Sequence, residues 1–338
     1  MKASIDDVAR EAGVSKSTVS RALSRPDMVS DATRAKVLAA AEHLNFSISR
    51  ASGILKSGRS QRIAMLVGSH QIDWFSAKII EGLNPVFQQA GYDLILYPVE
   101  GQEDRATFFD KLPVRGNADA VVVSSFDISP AEIKRLGTAH VPITGINVAS
   151  TDEFAASASI DDEAGIRLAV KHLAQQGHRN IVYVQPQVIS TLHFSSYRRI
   201  TGFLETCVQL GLRGRTVTVP VLAGEDATAV FDTVVSDILA ADERPTALCF
   251  HQDSMAIPFF FRLGQCGLRI PDDISIVGYD NSTFAAEVGL TTIRQDPRTM
   301  AEHVAHATLR LIDGDTLSTP HERFDPQLIV RSSTAPVA

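Results

Sequence analysis

Between Ser4 and Leu23 the apolar residues recur at helical spacing. Ile5, Val8, Ala9 and Ala12 share one face of a first helix, whose opposite face carries Asp6, Asp7, Arg10 and Glu11. Gly13 can take positive φ and turn the chain, and Ser15 follows as an N-cap for a second helix. There Val14, Val19 and Leu23 pack inward, leaving Lys16, Ser17, Thr18, Ser20 and Arg21 outside with no acid among them. A loop containing Pro26 leads to Ser30, which caps a third helix reaching Leu44 with Val37, Ala41 and Leu44 on its buried stripe. The next stretch, 45–62, is polar, basic and too poor in apolar residues to build a core, so it reads as a linker.

From Arg62 the pattern changes to short apolar runs separated by helical segments. IAMLVG (63–68), DLILYPV (93–99), AVVVSS (120–125) and ITGINV (143–148) read as buried strands, with helices over 77–90 and 131–138. A second series follows: a helix over 164–176, GHRNIVYVQ, a helix over 197–210, TVTVPV, a helix over 227–240, TALCFH, a helix over 256–266 and ISIVGYD. Two successive doubly wound parallel sheets predict two lobes with a ligand cleft where strand C-termini face one another. The expected fold is a small all-α helix-turn-helix head (1–46), a hinge (47–62) and an α/β two-lobed body (63–338).

Charge sharpens this division. Residues 1–62 hold eleven Lys and Arg against six Asp and Glu, whereas the remainder holds 21 basic against 33 acidic, within a net charge of −7. A basic head on an acidic body fits a nucleic-acid module joined to a part that should not adhere to DNA. On the second helix, hydroxyls can reach phosphates while Lys16 or Arg21 bonds a guanine edge in the major groove. Cys207, Cys249 and Cys266 are too few and too widely spaced for a disulfide framework or a zinc site, and no cofactor is expected. With no apolar leader and no run of about 18 apolar residues, the expected location is the cytosol.

DVAREAGVSKSTVSRAL (7–23) strongly resembles the start of the lactose-repressor (LacI) family of bacterial transcription regulators. The likeness continues through SIDDEAGIRLAVKHLAQQGHRNIVYV, RRITGF, HQDSMA, ISIVGYDN and GLTTIRQD. It implies a periplasmic-binding-protein-like body whose lobes are both discontinuous, lobe 1 being about 63–160 and 291–323 and lobe 2 about 161–290 and 324–338. It also implies DNA-binding roles for Ile5, for Ser15, Lys16, Ser17, Thr18, Ser20 and Arg21 on the second helix, and for Ser30 and Thr33 at the backbone. In the family the linker forms a hinge helix on DNA and wedges a Leu into the minor groove. Leu55 corresponds to that Leu, Phe46 and Arg50 to its neighbours, while Ser52 and Gly53 replace the usual Ala-Arg or Ala-Gln.

For the effector, Trp74 and Phe75 follow the first strand where the family's pocket aromatics lie, and either stack on a ligand or line the rim. Arg199 corresponds to the Arg of the family's R-x-x-G segment and either grips ligand oxygens or forms a structural salt bridge. Asp280 either accepts from ligand hydroxyls or caps the next turn. Asp161, His193, Gln252, Asp253 and Gln295 lie at or beside family pocket positions. No GxSxG, HExxH or P-loop is present, so an enzyme is not expected.

The reading is a cytosolic repressor that binds a roughly palindromic double-stranded operator and is released by a sugar, polyol or nucleoside. A purine-type co-repressor or a sugar receptor without a DNA role are the alternatives. The tail IVRSSTAPVA lacks the heptads of a tetramerising relative, so a homodimer is expected.

Overall fold

A computed structural model describes residues 3–24, 26–46, 59–148, 150–187, 194–220, 227–241 and 243–337. The chain divides into two compact units, Met1–Ser60 and Gln61–Ala338.

Among the described residues the first unit has three α-helices, Ile5–Ala12, Lys16–Ser24 and Asp31–His43. Ser4 starts the first with a reciprocal capping box to Asp7, and Gly13 at φ +66° ends it by donating to the carbonyls of Ala9 and Arg10. The Ser15 hydroxyl accepts from the Thr18 amide at 3.2 Å, and Ser30 caps the third helix in the same way. Val8, Val19 and Val37, one from each helix, are completely buried at the centre of the unit. Such a core of small side chains leaves most of the second helix's surface outside.

The second unit contains two six-stranded sheets. The first runs β2 (Asp93–Pro98), β1 (Arg62–Val67), β3 (Ala120–Ser124), β4 (Ile143–Ile146), β5 (Ala156–Ile160) and β11 (His321–Phe324), all parallel. The second runs β7 (Arg213–Val219), β6 (Asn180–Pro186), β8 (Ala247–Phe250), β9 (Ser275–Asp280), β10 (Thr291–Arg294) and β12 (Gln327–Ile329). Only β12 in that sheet is antiparallel. Their strands alternate between two cores, as sheets covered by helices on both faces require. Ala64 and Leu66 of β1 face one layer, and Ile63, Met65 and Val67 face the other. In β6, Val182 and Val184 are likewise opposed to Ile181 and Tyr183.

The chain passes between the sheets three times: after β5, after β10 and after β11. The middle crossing corrects the sequence reading, because Thr291–Arg294 pairs with β9 and so belongs to the second lobe. The chain therefore leaves that lobe after Arg294 rather than near Leu290. Helix Pro297–Ile312 then packs on the first sheet through Met300, Ala301, Val304 and Ala305. It presses so closely on helix Trp74–Gln89 that a Cβ at Gly82 would lie 2.4 Å from the Arg298 carbonyl oxygen. No helix among the described residues is long and apolar enough to cross a membrane.

Candidate functional site

In the helical unit, the predicted contact residues gather at the start of the second helix. Ser15, Lys16, Ser17 and Arg21 are exposed, with Thr18 and Ser20 half-buried beside them. The Ser15 hydroxyl lies 2.8 Å from both the Ser17 and the Thr18 hydroxyls, so three hydroxyls cluster at the helix N-terminus, where the helix dipole favours phosphate. Lys16 is held 2.5 Å from Asp6 of the first helix. Such an exposed pair is weak and leaves the ammonium available to another anion. Ser30 and Thr33 share a 2.9 Å hydroxyl contact at the start of the third helix. Ile5 and Phe46 pack partly against the unit's own core. Arg50, Ser52, Gly53 and Leu55 lie outside the described residues.

In the larger unit, a cavity of about 580 Å³ opens between the two lobes. Its walls come from the C-terminal ends of strands in both sheets: Gly68 after β1, Ser124 and Ser125 at β3, Asn147 after β4, Pro186 at β6, His251 after β8 and Asp280 ending β9. This is the crevice in which open α/β sheets take their ligands, and its size suits a small organic molecule.

Trp74 and Phe75 face it from the first turn of helix Trp74–Gln89, which Asp73 caps by accepting from the Ser76 amide at 2.8 Å. Phe194, Tyr197 and Phe284 face it from the second lobe. The cavity is therefore lined by aromatic surface on both sides.

Arg199 forms the buried ion pair of its structural reading while standing on the cavity wall. It lines the cavity, yet its Nε donates to Asp162 at 2.6 Å, an Nη donates to the His251 carbonyl at 2.7 Å, and its guanidinium lies 3.6 Å over the Tyr279 ring. Burial alone would lower its pKa, but Asp162 and Asp280 outweigh that and raise it, so the group is a fixed cation.

Asp280 is buried at φ +120°, a strained position for a residue with a Cβ. Gln295 donates to it at 2.6 Å and Arg199 lies 3.8 Å away. Burial nevertheless pushes its carboxyl well above the usual range, the Asp253 and Asp73 charges pushing the same way. His251 is held between the Tyr183 hydroxyl at 3.0 Å and the Ser196 hydroxyl at 3.2 Å, and burial drives its pKa down, keeping it neutral.

Gln252 lines the cavity with its amide donated to Ser254. Two predicted effector residues are turned elsewhere. Asp253 is fully buried and ties helix Asp253–Gln265 to the chain after β9, accepting from the Ser282 amide and the Thr292 hydroxyl, each at 2.7 Å. Asp161 caps helix Asp162–Gln175 and pairs with Arg323 at 2.7 Å. Neither lines the cavity. His193 lies outside the described residues.

Three polar atoms in the cavity walls are buried with no hydrogen-bond partner among the described residues: Trp74 Nε1, Ser195 Oγ and Gln295 Oε1. Such atoms are costly to leave unpaired, which marks them as places for ligand or water. Sequence reasoning missed Asp73, Ser124, Ser125, Asn147, Phe194, Ser195, Tyr197 and His251 as wall residues. Several of them stand at or next to strand C-termini, and reading that position in every strand would have found them.

A basic three-helix unit followed by a two-lobed α/β body with an interlobe cleft defines a ligand-responsive DNA-binding regulator. Residues 4–49 match the model for bacterial regulatory proteins of the lacI family, and residues 170–334 match a periplasmic binding protein-like domain. The HTH-type transcriptional repressor PurR of Vibrio parahaemolyticus is 30% identical over 338 residues, covering 98% of both chains. A LacI transcriptional regulator from a Rhodococcus species is 27% identical with a TM-score of 0.67, over 82% of this chain and 99% of that one. The lac repressor dimer bound to operator and the anti-inducer ONPF shares the fold, with a TM-score of 0.80 at 24% identity over 99% and 100% of the two chains. The chain belongs to the LacI family of bacterial transcription regulators. Its whole-chain relatives are transcriptional repressors.

Proposed function

We propose that this protein is a homodimeric repressor released from a roughly palindromic operator by a small, uncharged, polyhydroxylated molecule, a sugar, polyol or nucleoside, bound in the interlobe cleft. The observation that carries the reading is the pairing of ring faces with unpartnered polar atoms in one cavity. Trp74 and Phe75 offer surfaces on which an apolar ring face can stack, while Trp74 Nε1, Ser195 Oγ, Gln295 Oε1 and the Asp280 carboxyl offer polar partners for its rim. Charge argues for an uncharged ligand. Arg199 is already engaged by Asp162 and Asp280, leaving little positive field for a phosphate or carboxylate.

Ligand closing of the cleft is coupled to the DNA-binding units through the dimer, as in the family, so that half-site spacing no longer fits the operator. A thermal-shift screen of neutral sugars, polyols and nucleosides against their phosphate esters tests the ligand class, because a ligand at 100 times its Kd stabilises by about 2.7 kcal/mol. Stabilisation by phosphate esters alone would defeat it. A second reading, a planar purine-type co-repressor, is favoured by the whole-chain likeness to repressors named PurR and by aromatic rings on both walls. Operator titrations separate the two by sign: an inducer weakens binding and a co-repressor tightens it.

A further inference from the structure

Two consecutive residues at the end of β9 stand in the left-handed region without being glycine, Asp280 at φ +120° and Asn281 at φ +56°. Such a turn is strained for residues that carry a Cβ, and it persists only where its surroundings over-determine it. Here they do so from behind the cavity. The Asn281 amide donates to the Thr292 hydroxyl at 3.3 Å, and that hydroxyl donates to one oxygen of Asp253 at 2.7 Å. The other oxygen of Asp253 accepts from the Ser282 amide, also at 2.7 Å.

The remaining fastening comes from far along the chain. Arg331, which follows β12, donates one Nη to the Asn281 side-chain oxygen and the other to the Leu290 carbonyl, each at 2.7 Å. Its own amide donates to the Thr291 hydroxyl at 3.0 Å, so the fork starts from a fixed point on β10. Its charge also offsets part of the burial that raises the Asp253 pKa. Arg331, Asn281, Thr292 and Asp253 do not line the cavity, whereas Asp280 and Ser282 do. On the cavity side, Gln295 at 2.6 Å and Arg199 at 3.8 Å both address Asp280 Oδ1, and neither holds Oδ2. They can meet that oxygen only if the backbone already points it at them.

We infer that Arg331 is a positioning residue for the interlobe cleft: by gripping Asn281 it holds the Asp280–Asn281 turn in its left-handed form and so aims the Asp280 carboxyl into the cavity. Without that grip the turn relaxes and the carboxyl leaves its buried place for water. The consequence for effector binding rests on the reading of the cleft as the effector site. The positioning itself is tested on the ligand-free chain, so it fails independently of that reading.

The test is a cycle of melting temperatures on the full chain. Asp280→Asn is introduced into wild type, Arg331→Gln and Asn281→Gly, and each pair is compared at pH 8 and pH 5 by circular dichroism. In wild type the substitution gains about 2–4 °C at pH 8 and less at pH 5, because a buried carboxyl opposes folding only while it is ionised. Positioning by Arg331 requires this pH-dependent gain to fall below about 1 °C in both other backgrounds. Gly at 281 keeps φ +56° accessible, and Arg331 retains its bond to Leu290 and its place beside Asp253, so a purely structural Arg331 would leave the gain intact there. The charged groups that face Asp280, Arg199, Asp253 and Asp73, are unchanged in Asn281→Gly. The full gain surviving in either folded variant overturns the inference. A gain absent from wild type overturns it as well, since no buried carboxyl is then being held. Should Arg331→Gln fail to fold, Arg331→Lys, which keeps the charge but not the two-armed fork, takes its place under the same criteria.

Discussion

Replacing Arg199 tests the cleft and the fold at once. In Arg199→Met the apolar stem survives but the guanidinium goes, and with it the 2.6 Å bond to Asp162 and the 2.7 Å bond to the His251 carbonyl. Asp162 is 3% exposed, so the variant strands a carboxylate in the second lobe. Breaking one side of a buried pair costs about 3–5 kcal/mol, a large part of the roughly 5–15 kcal/mol that a domain has in total. The double variant Asp162→Asn/Arg199→Met removes both charges and should recover most of that loss. Urea denaturation followed by circular dichroism compares the three proteins. Arg199→Met within about 1 kcal/mol of wild type, or a double variant as unstable as the single one, would refute the buried-charge argument. The stabilised double variant also isolates the ligand role. If it no longer responds to a compound that stabilises wild type, the guanidinium touches ligand, and a restored response makes Arg199 purely structural.

Three further outcomes are expected. Asp280→Asn should raise the melting temperature at pH 8 by about 2–4 °C, which corresponds to about 1 kcal/mol. The wild-type carboxyl has its folded pKa raised by burial, so its ionisation opposes folding above that pKa and is relieved as pH falls toward 3.8; the gain should shrink at pH 5, and a pH-independent gain would contradict it. Arg21→Ala should weaken specific DNA binding by about 1–3 kcal/mol and relax preference at one operator position, whereas a uniform loss across sequences would make Arg21 a phosphate contact. Gly53→Ala should tighten operator binding by up to about thirtyfold if two hinge helices fold on DNA, each gaining about 0.8–1.0 kcal/mol of helix propensity. Weaker binding by that variant would instead mean that the backbone at Gly53 approaches DNA too closely for a methyl group.

The head was legible because its code is local. Gly13 and Ser15 set a turn and a cap within a few residues, and both act as their chemistry dictates. The buried strands were legible because β1, β3 and β8 each contain an apolar run, IAMLV, AVVV and ALCF. Elements that depend on distant partners were not. β11 (HERF) is short and largely polar and β12 (QLI) is only three residues long, and each is held by pairing to a sheet edge, β5 in one case and β10 in the other. Helix Gln102–Lys111 buries only Phe108 and Phe109, too little apolar periodicity to announce a helix.

At the site, the identities of Trp74, Phe75, Arg199 and Asp280 could be read, because each follows a recognisable strand or segment. The direction of a side chain could not. Asp253 stands next to Gln252 at the start of one helix, yet it turns inward because the Ser282 amide and the Thr292 hydroxyl, 29 and 39 residues away, need an acceptor there. The wall contributed by Phe194 and Ser195 depends on contact between the lobes, which local spacing does not encode.

The central claim is that occupancy of the interlobe cleft governs operator binding. Its most direct test is fluorescence anisotropy of a labelled palindromic duplex, selected on this protein from a random pool, titrated at one fixed salt concentration with and without a compound that stabilises the protein and quenches Trp74. The account predicts that the compound changes operator affinity by about tenfold or more, a coupling of about 1.4 kcal/mol, and that Asp280→Asn loses the change while still binding DNA. Unaltered operator affinity with the cleft demonstrably occupied would contradict it.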